Sequence, residues 1–141
     1  MTTIAYHHKD KQIAVDSQST LHGVCCNYNK IHKHKGRTFI LCGSVCDQEF
    51  FIKNFEPLSL IDLKVEIDTY GIMIENNNAY YVFTHDGTFN QEPIKNNLCL
   101  GSGSNFALSA MDFGKTAKQA VKYATKRDIY SGGKVQVINL K

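Results

Sequence analysis

Three pairs of strand-like segments, each joined by a short polar turn, constrain the fold of this chain more than any other feature. The turns are Lys9-Asp10-Lys11, Lys35-Gly36 and Glu75-Asn76-Asn77-Asn78. They join the β-prone segments 4–6 and 12–15, 30–32 and 38–42, and 72–74 and 80–84. Apolar and β-branched runs bounded by charged residues, Asn or Gly are typical of hairpins, whose strands pair antiparallel. The sequence therefore predicts antiparallel sheet.

Helical signals lie between and after these pairs. Apolar residues at helical spacing predict a helix over 44–55, which ends before Pro57. A second helix is predicted over 105–111, and Thr116 with Gln119 forms a capping box that starts a third. Short strands are predicted at 98–100 and 134–138, whereas 58–69 fits either a short helix or an irregular link. Helices packed on antiparallel sheet predict an α+β fold, with residues 1–141 as one domain.

Composition excludes several classes of function. The net charge is only +3, and the basic run at 32–37 is best interpreted as a solvated turn without a nucleic-acid motif. No apolar run reaches the roughly 18 residues that span a membrane, and the N-terminus lacks a signal-peptide core. The five cysteines form no CxxC pair and the six histidines no HExxH pattern. We expect a cytoplasmic protein with free thiols, no metal and no cofactor, and no nucleic-acid or membrane partner.

The N-terminus carries a candidate nucleophile. Met1 precedes Thr2, and an initiator Met is readily removed before a residue as small as Thr. A free N-terminal Thr combines a hydroxyl nucleophile with an α-amine base, whose pKa is about 8. This feature alone is weak, because many proteins begin Met-Thr. It gains weight from the polar segments that follow it in the chain.

Six short segments, taken in order, resemble proteasome β-type subunits, and the opening is most similar to HslV, the bacterial proteasome-like peptidase. The match runs from Thr2 to Leu140. The segments are Met1-Thr2-Thr3-Ile4, Asp16-Ser17-Gln18-Ser19-Thr20, Lys30-Ile31, Cys42-Gly43-Ser44-Val45-Cys46-Asp47, Gly101-Ser102-Gly103-Ser104 and Arg127-Asp128-Ile129-Tyr130-Ser131-Gly132-Gly133. The resemblance implies an N-terminal nucleophile hydrolase fold, which is a four-layer αββα sandwich of two antiparallel sheets.

The resemblance also assigns roles. It implies that Thr2 is the nucleophile, that Lys30 stabilises the alkoxide, and that Asp16 holds Lys30 charged. The backbone N–H of Gly43 would donate to the oxyanion, and a polar cluster would hold the α-amine and the hydrolytic water. That cluster comprises Ser102, Asp128 and Ser131, and the implied substrate pocket comprises Thr20, Tyr28, Leu41 and Val45.

Taken singly, these residues have plainer explanations. Asp16 and Lys30 could form a surface ion pair, worth ~0–1 kcal/mol. Gly43 could serve only a tight turn, and 131–133 could be an ordinary loop. Taken together, they supply the nucleophile, base, electrostatic support and oxyanion donor that acyl transfer requires.

The chain departs from the family in length. The segments 47–70 and 102–128 are shorter than in the relatives, where the helices of these regions make assembly contacts. The resemblance implies a peptide or unfolded-protein substrate, a homo-oligomer and an ATP-dependent unfoldase partner, while the shortening leaves a ring, a dimer and a monomer open. Two alternatives to a threonine peptidase stay open: a catalytically silent assembly or binding subunit, and an amidohydrolase of small amides on the same fold.

Overall fold

The computed structural model describes residues 1–61 and 67–141. Within these described residues, three antiparallel sheets and three helices form a mixed α/β architecture. The chain divides into two compact units, Met1–Ile31 with Ile94–Lys141, and His32–Pro93. Each unit has its own sheet and helix packing.

The first unit is a four-stranded sheet covered by two helices. Its strands are β1 (Thr3–His7), β2 (Gln12–Val15), β10 (Leu98–Gly101) and β11 (Gln136–Asn139), in the order β10-β1-β2-β11. The helices α2 (Ser104–Asp112) and α3 (Ala117–Arg127) pack on it through small side chains. Alanines allow the helices to approach the sheet closely. The buried set comprises Ala5, Ala14, Ala107, Met111, Ala117, Ala120, Val121 and Ala124.

The start of α3 confirms the predicted capping box. The Thr116 hydroxyl accepts a hydrogen bond from the Gln119 backbone N–H at 3.2 Å, and the Gln119 side chain accepts one from the Thr116 N–H at 3.1 Å. Two otherwise unpaired donors of the first turn are therefore satisfied. The apolar face of α3 turns to the sheet, which leaves its lysines exposed.

A two-stranded sheet in the first unit was not predicted. β3 (Gln18–Leu21) and β4 (Val24–Asn27) pair antiparallel across His22 and Gly23. Both turn residues have positive φ, 49° and 78°, which matches a type I′ turn. Glycine at the second position was the signal for this hairpin.

The second unit is a five-stranded sheet in the order β5-β6-β7-β8-β9 with one helix. The strands are β5 (His32–His34), β6 (Arg37–Gly43), β7 (Thr69–Glu75), β8 (Asn78–His85) and β9 (Thr88–Pro93), and the helix is α1 (Val45–Asn54). A cluster of aromatic rings fills its core. The ring centroid of Phe51 lies 5.2–6.4 Å from those of Phe39, Phe55 and Phe89.

Sequence prediction found β6, β7, β8 and α1 but missed β9, and it placed β5 at 30–32, two residues before its observed position at His32–His34. The β8–β9 turn is Asp86-Gly87, with φ of 47° and 72°, and Asp-Gly is a strong hairpin signal. β11 begins at Gln136, two residues later than predicted. Of the ambiguous segment 58–69, residues 58–61 form an irregular link in which Leu60 bridges Thr88, and residues 62–66 lie outside the described residues.

Candidate active site

The N-terminal strand lies at the centre of a buried polar cluster in the first unit. β1 pairs with β10 so that Thr3 faces Gly101, and the next residue, Ser102, donates its N–H to the Thr2 carbonyl at 2.9 Å. Thr2 is 7% exposed and Thr3 is fully buried, whereas Met1 is 64% exposed. The sheet therefore places the peptide bond between Met1 and Thr2 at the border between core and solvent.

Asp16 directly follows β2 and lies beside Thr3. Its carboxylate is fully buried and accepts four hydrogen bonds. Oδ1 accepts the Thr3 N–H and the Lys30 ammonium, each at 2.9 Å, and Oδ2 accepts the backbone N–H groups of Gly132 at 3.0 Å and Gln18 at 3.3 Å. A buried carboxylate needs such partners, because burying an unpaired charge is costly.

Lys30 completes a buried ion pair with Asp16. The side chains of Lys30 and Asp16 are 6% and 0% exposed, which excludes the surface ion pair weighed from sequence. The Lys30 ammonium also donates to the Met1 carbonyl at 2.9 Å. Because the oxygen and nitrogen of one amide lie about 2.3 Å apart, the Thr2 nitrogen is within about 5 Å of the ammonium. The Asp16–Lys30 pair is therefore directed at the Met1–Thr2 bond.

Gln136 fixes the backbone from which Lys30 extends. Its side-chain oxygen accepts the Lys30 N–H at 3.0 Å, and its amide nitrogen donates to the Asn29 side chain at 2.7 Å. Sequence reasoning gave Gln136 no role, and only its place at the start of β11 brings it to Lys30.

Asp128, the residue at the end of α3, forms the second half of the cluster. Its Oδ2 accepts the hydroxyls of Ser102 at 2.5 Å and Ser131 at 2.6 Å, and its Oδ1 accepts the Tyr130 N–H at 3.2 Å. Burial raises the pKa of Asp128, but these three hydrogen bonds and the positive N-terminal amine together hold the pKa below its ordinary value. Asp128 is therefore ionised at neutral pH.

Thr3 joins the two halves of the cluster, and sequence reasoning gave it no role. Its hydroxyl lies 2.6 Å from the Ser131 hydroxyl, and its N–H donates to Asp16. Since the single Ser131 hydroxyl proton is directed to the Asp128 carboxylate, Thr3 is the donor in the Thr3–Ser131 bond. Gly103 makes room for this contact, because a Cβ there would overlap the Thr3 hydroxyl. Thr3 is a buried polar residue on an alanine-lined sheet face, and its burial is what indicates a role.

The remaining predicted residues are placed as follows. Thr20 is an exposed residue of β3, and Tyr28 is half-buried just after β4; both belong to the first unit. Gly43, Leu41 and Val45 belong to the second unit. Gly43 has φ 117°, and a Cβ there would overlap the Asp68 carbonyl, so the position admits only glycine. Leu41 is buried in the second unit's core, and Val45 is exposed at the start of α1.

Residues 1–61 and 67–141 show no metal-binding cluster and no membrane-spanning helix. In that part of the chain, no three His, Cys, Asp or Glu residues are arranged to hold a metal ion. Over the same ranges, no helix combines the length and apolarity needed to cross a membrane. The cysteines of the described residues are free thiols.

Comparisons with known proteins support the fold. No protein-family model matches the chain, and no curated protein matches its sequence. The structure of Thiobacillus denitrificans BPH in complex with epoxomicin is similar at a TM-score of 0.69 and 19% identity, over 99% of this chain and 99% of that one. A second BPH structure gives a TM-score of 0.68 and 18% identity over 100% and 99%. The helical assembly of the Anbu complex from Pseudomonas aeruginosa gives 0.64 and 12% over 99% and 80%.

These likenesses show a proteasome-like fold, and they confirm the expected resemblance at that level. The α+β class is confirmed in its coarse form, as a mixed protein of antiparallel sheets and helices. The specific HslV-like activity stays a prediction.

Proposed function

We propose that this chain is a threonine-type peptidase on a four-layer αββα sandwich, with Thr2 as its nucleophile after removal of Met1. One observation carries the proposal: the buried Asp16–Lys30 pair is directed at the Met1–Thr2 bond. Burying a cation costs desolvation free energy, so a buried lysine beside a backbone carbonyl indicates a functional role. Stabilising the negative charge that develops on a neighbouring nucleophile is such a role.

The proposed reaction starts with a free Thr2 amine. Hydrolysis of the Met1–Thr2 bond removes the carbonyl that Lys30 contacts, so the ammonium loses one acceptor beside Thr2. The positive charge of Lys30, within about 5 Å, disfavours a second positive charge and so opposes protonation of the new amine. The amine then takes the Thr2 hydroxyl proton.

Acyl transfer follows from that geometry. The Thr2 oxygen attacks the substrate carbonyl carbon and the peptide C–N bond breaks. The amine proton passes to the leaving nitrogen, and water then cleaves the acyl ester. Lys30 stabilises the developing alkoxide, and Gly43 is proposed as the oxyanion donor, a role worth about 10²–10³ in rate. The hydroxyl oxygens of Ser102 and Ser131 are polarised by Asp128, so they can accept hydrogen bonds from the amine or the water.

The proposed partners follow from the same proposal. We expect a peptide or unfolded-protein substrate entering beside Thr20, Tyr28, Leu41 and Val45, a homo-oligomer, and an ATP-dependent unfoldase. The Anbu neighbour is described as a helical assembly, which supports the expectation of an oligomer.

A catalytically silent subunit is the second candidate, and two contacts favour it. The threonine hydroxyl bonded to the cluster is that of Thr3, and the carbonyl of the retained Met1 accepts a hydrogen bond from Lys30. In a chain that keeps Met1, Asp16 and Lys30 would serve to anchor the N-terminus.

The deciding experiment is the intact mass of the purified protein with and without epoxomicin, the compound bound in the BPH structure. A peptidase has lost the Met1 mass and gains one adduct. Thr2→Ala, which still permits Met removal, gains none and hydrolyses no peptide, while Thr38→Ala, in β6, behaves as wild type. A protein that keeps Met1 and forms no adduct is the silent subunit, and an adduct on Thr2→Ala rejects Thr2 as nucleophile.

A further inference from the structure

The two units carry opposite net charges. Residues 1–31 and 94–141 contain eleven Lys and Arg against four Asp and Glu, for a net +7, whereas residues 32–93 contain five against nine, for a net −4. The overall +3 conceals this difference. Opposite net charge on two parts of one molecule favours association between unlike surfaces of separate copies.

The first unit offers an apolar groove on the outer side of α2 and α3. The groove has a volume of about 390 Å³ and is lined by Ser109, Ala110, Phe113, Lys115, Gln119 and Tyr123. Phe113 is 88% exposed, although a large aromatic side chain is normally at least partly covered. An apolar cavity of about 150 Å³ accommodates a benzene ring, so this groove has room for two leucine-sized side chains.

The groove and the exposed side of α3 carry basic residues. Lys115 lines the groove, and exposed lysines continue along α3: Lys118, Lys122 and Lys126. The surface therefore fits an occupant with apolar side chains flanked by carboxylates.

The second unit presents such an occupant, here named the leucine edge: Glu56, Leu58, Leu60 and Asp86. Leu58 and Leu60 are the two most exposed leucines of the described residues, at 79% and 82%. The Glu56 and Asp86 side chains are 66% and 88% exposed. Asp86 lies close to the leucines. Gly87, the residue after Asp86, accepts a hydrogen bond at its carbonyl from the N–H of Ile61, the residue after Leu60.

Two backbone hydrogen bonds join the leucine edge to β9. The Leu58 N–H donates to the Phe89 carbonyl at 2.8 Å, and the Phe89 N–H donates to the Ser59 carbonyl at 3.1 Å. Leu58 has φ +64°, a left-handed conformation that bulky residues rarely adopt. Such backbone strain persists where the surroundings enforce it and is frequent at functional sites. Two exposed leucines on a fixed, strained backbone form a preorganised binding element.

We propose that the leucine edge of one copy of this chain inserts into the α2–α3 groove of a second copy. The contact joins two different surfaces, so each copy keeps one unused groove and one unused leucine edge. Repetition gives a closed ring if the rotation closes and a filament if it does not. This inference does not depend on the proposed catalysis.

A complementation experiment tests this proposal by analytical ultracentrifugation. One variant lacks the leucines (Leu58→Ser with Leu60→Ser) and the other lacks the groove aromatics (Phe113→Ser with Tyr123→Ser). Burying two leucines favours association by roughly 100-fold or more, so each variant alone should be monomeric where wild type assembles. An equimolar mixture should give a dimer and nothing larger, because only one groove and one leucine edge remain usable.

The controls separate this contact from others. Val24→Ser removes a different exposed apolar side chain, 60% exposed on β4, and should assemble like wild type. Lys115→Glu should weaken assembly, and so should a change from about 0.1 M to 1 M salt, which shortens the screening length from about 10 Å to 3 Å. Circular dichroism should show every variant folded, since the replaced side chains are exposed; if a serine pair unfolds, Lys115→Glu decides alone. A monomeric wild type, or a mixture that stays monomeric, overturns the proposal.

Discussion

The buried pair of Asp16 and Lys30 provides the sharpest test of the site. We predict that Asp16→Asn and Lys30→Met each destabilise the fold by about 3–5 kcal/mol, the range for removing one partner of a buried ion pair. The reason differs between them. Lys30→Met leaves a fully buried carboxylate without a countercharge.

In Asp16→Asn, the new NH₂ group must face one of two sets of donors. On one side lie Thr3 and Lys30, and on the other lie Gly132 and Gln18. Either orientation removes the Asp16 acceptor from two donors. The Thr3 and Lys30 bonds are buried and the Gly132 and Gln18 bonds part-buried, and an unsatisfied buried donor costs about 1–3 kcal/mol. In the double variant, the amide loses its repulsion from the ammonium. Its cost should therefore fall short of the sum of the single costs by about 1–3 kcal/mol, as expected for residues in contact.

Urea unfolding followed by circular dichroism measures these differences, with equal m-values as the check that the same surface is exposed on unfolding. Lys53→Met is the matched control, because Lys53 contacts Glu49 at 2.7 Å in an exposed ion pair. Such pairs contribute little, so the control should unfold close to wild type. The reasoning is refuted if Lys30→Met costs no more than Lys53→Met, or if the two site variants are simply additive.

Three further predictions follow from the first unit. Because the pKa of Asp128 lies below its ordinary value of 3.8, the folded state binds fewer protons at Asp128 than the unfolded state does. The free energy of unfolding should therefore fall as the pH drops from about 4 through the lower folded pKa. In thermal melts, Asp128→Asn should make this fall smaller. Gly103→Ala should cost about 1–3 kcal/mol in urea unfolding by overlapping the Thr3 hydroxyl, and Thr3→Ala should restore part of this loss. Burial, with the charge of Asp112, raises the pKa of Cys99 to about 12, so at pH 8 a thiol reagent should quickly label only the three exposed cysteines in a mass spectrum: Cys25, Cys26 and Cys46.

Local sequence signals were sufficient where a single interaction decides the structure. The capping box at Thr116 fixed the start of α3, and the first hairpin followed from alternating residues around a charged turn. The β8–β9 hairpin was missed, although the dipeptide Asp86-Gly87 predicts a hairpin turn. Its strand, 88–93, is polar at most positions, so the period-2 pattern is weak.

The composition of the polar cluster was predictable, but its bonding was not. Asp16 and Lys30 are 14 residues apart, and Ser102 and Asp128 are 26 apart, so their contacts depend on sheet register and helix length. Resemblance selected these residues, and the structure adds that the Asp16–Lys30 pair is buried. Thr3 and Gln136 were missed because their importance lies in long-range hydrogen bonds to site residues, which no spacing rule encodes. Thr3 bonds to Asp16 and Ser131, and Gln136 bonds to Lys30.

Strand alternation explains why the side chain of Thr2, the candidate nucleophile, lies outside the observed hydroxyl network. Side chains alternate along β1, so Thr3 shares the helix-facing side with Ala5, and Thr2 lies on the side of Ile4. From Thr3 onward the backbone is fixed by Asp16, and the Thr2 carbonyl is fixed by Ser102. Only the part of Thr2 before its carbonyl is then free to turn when Met1 is removed. In the proposed peptidase, the Thr2 amine and hydroxyl would reorient about this fixed carbonyl, and hydrolysis of one peptide bond would convert an anchored N-terminus into the proposed active one.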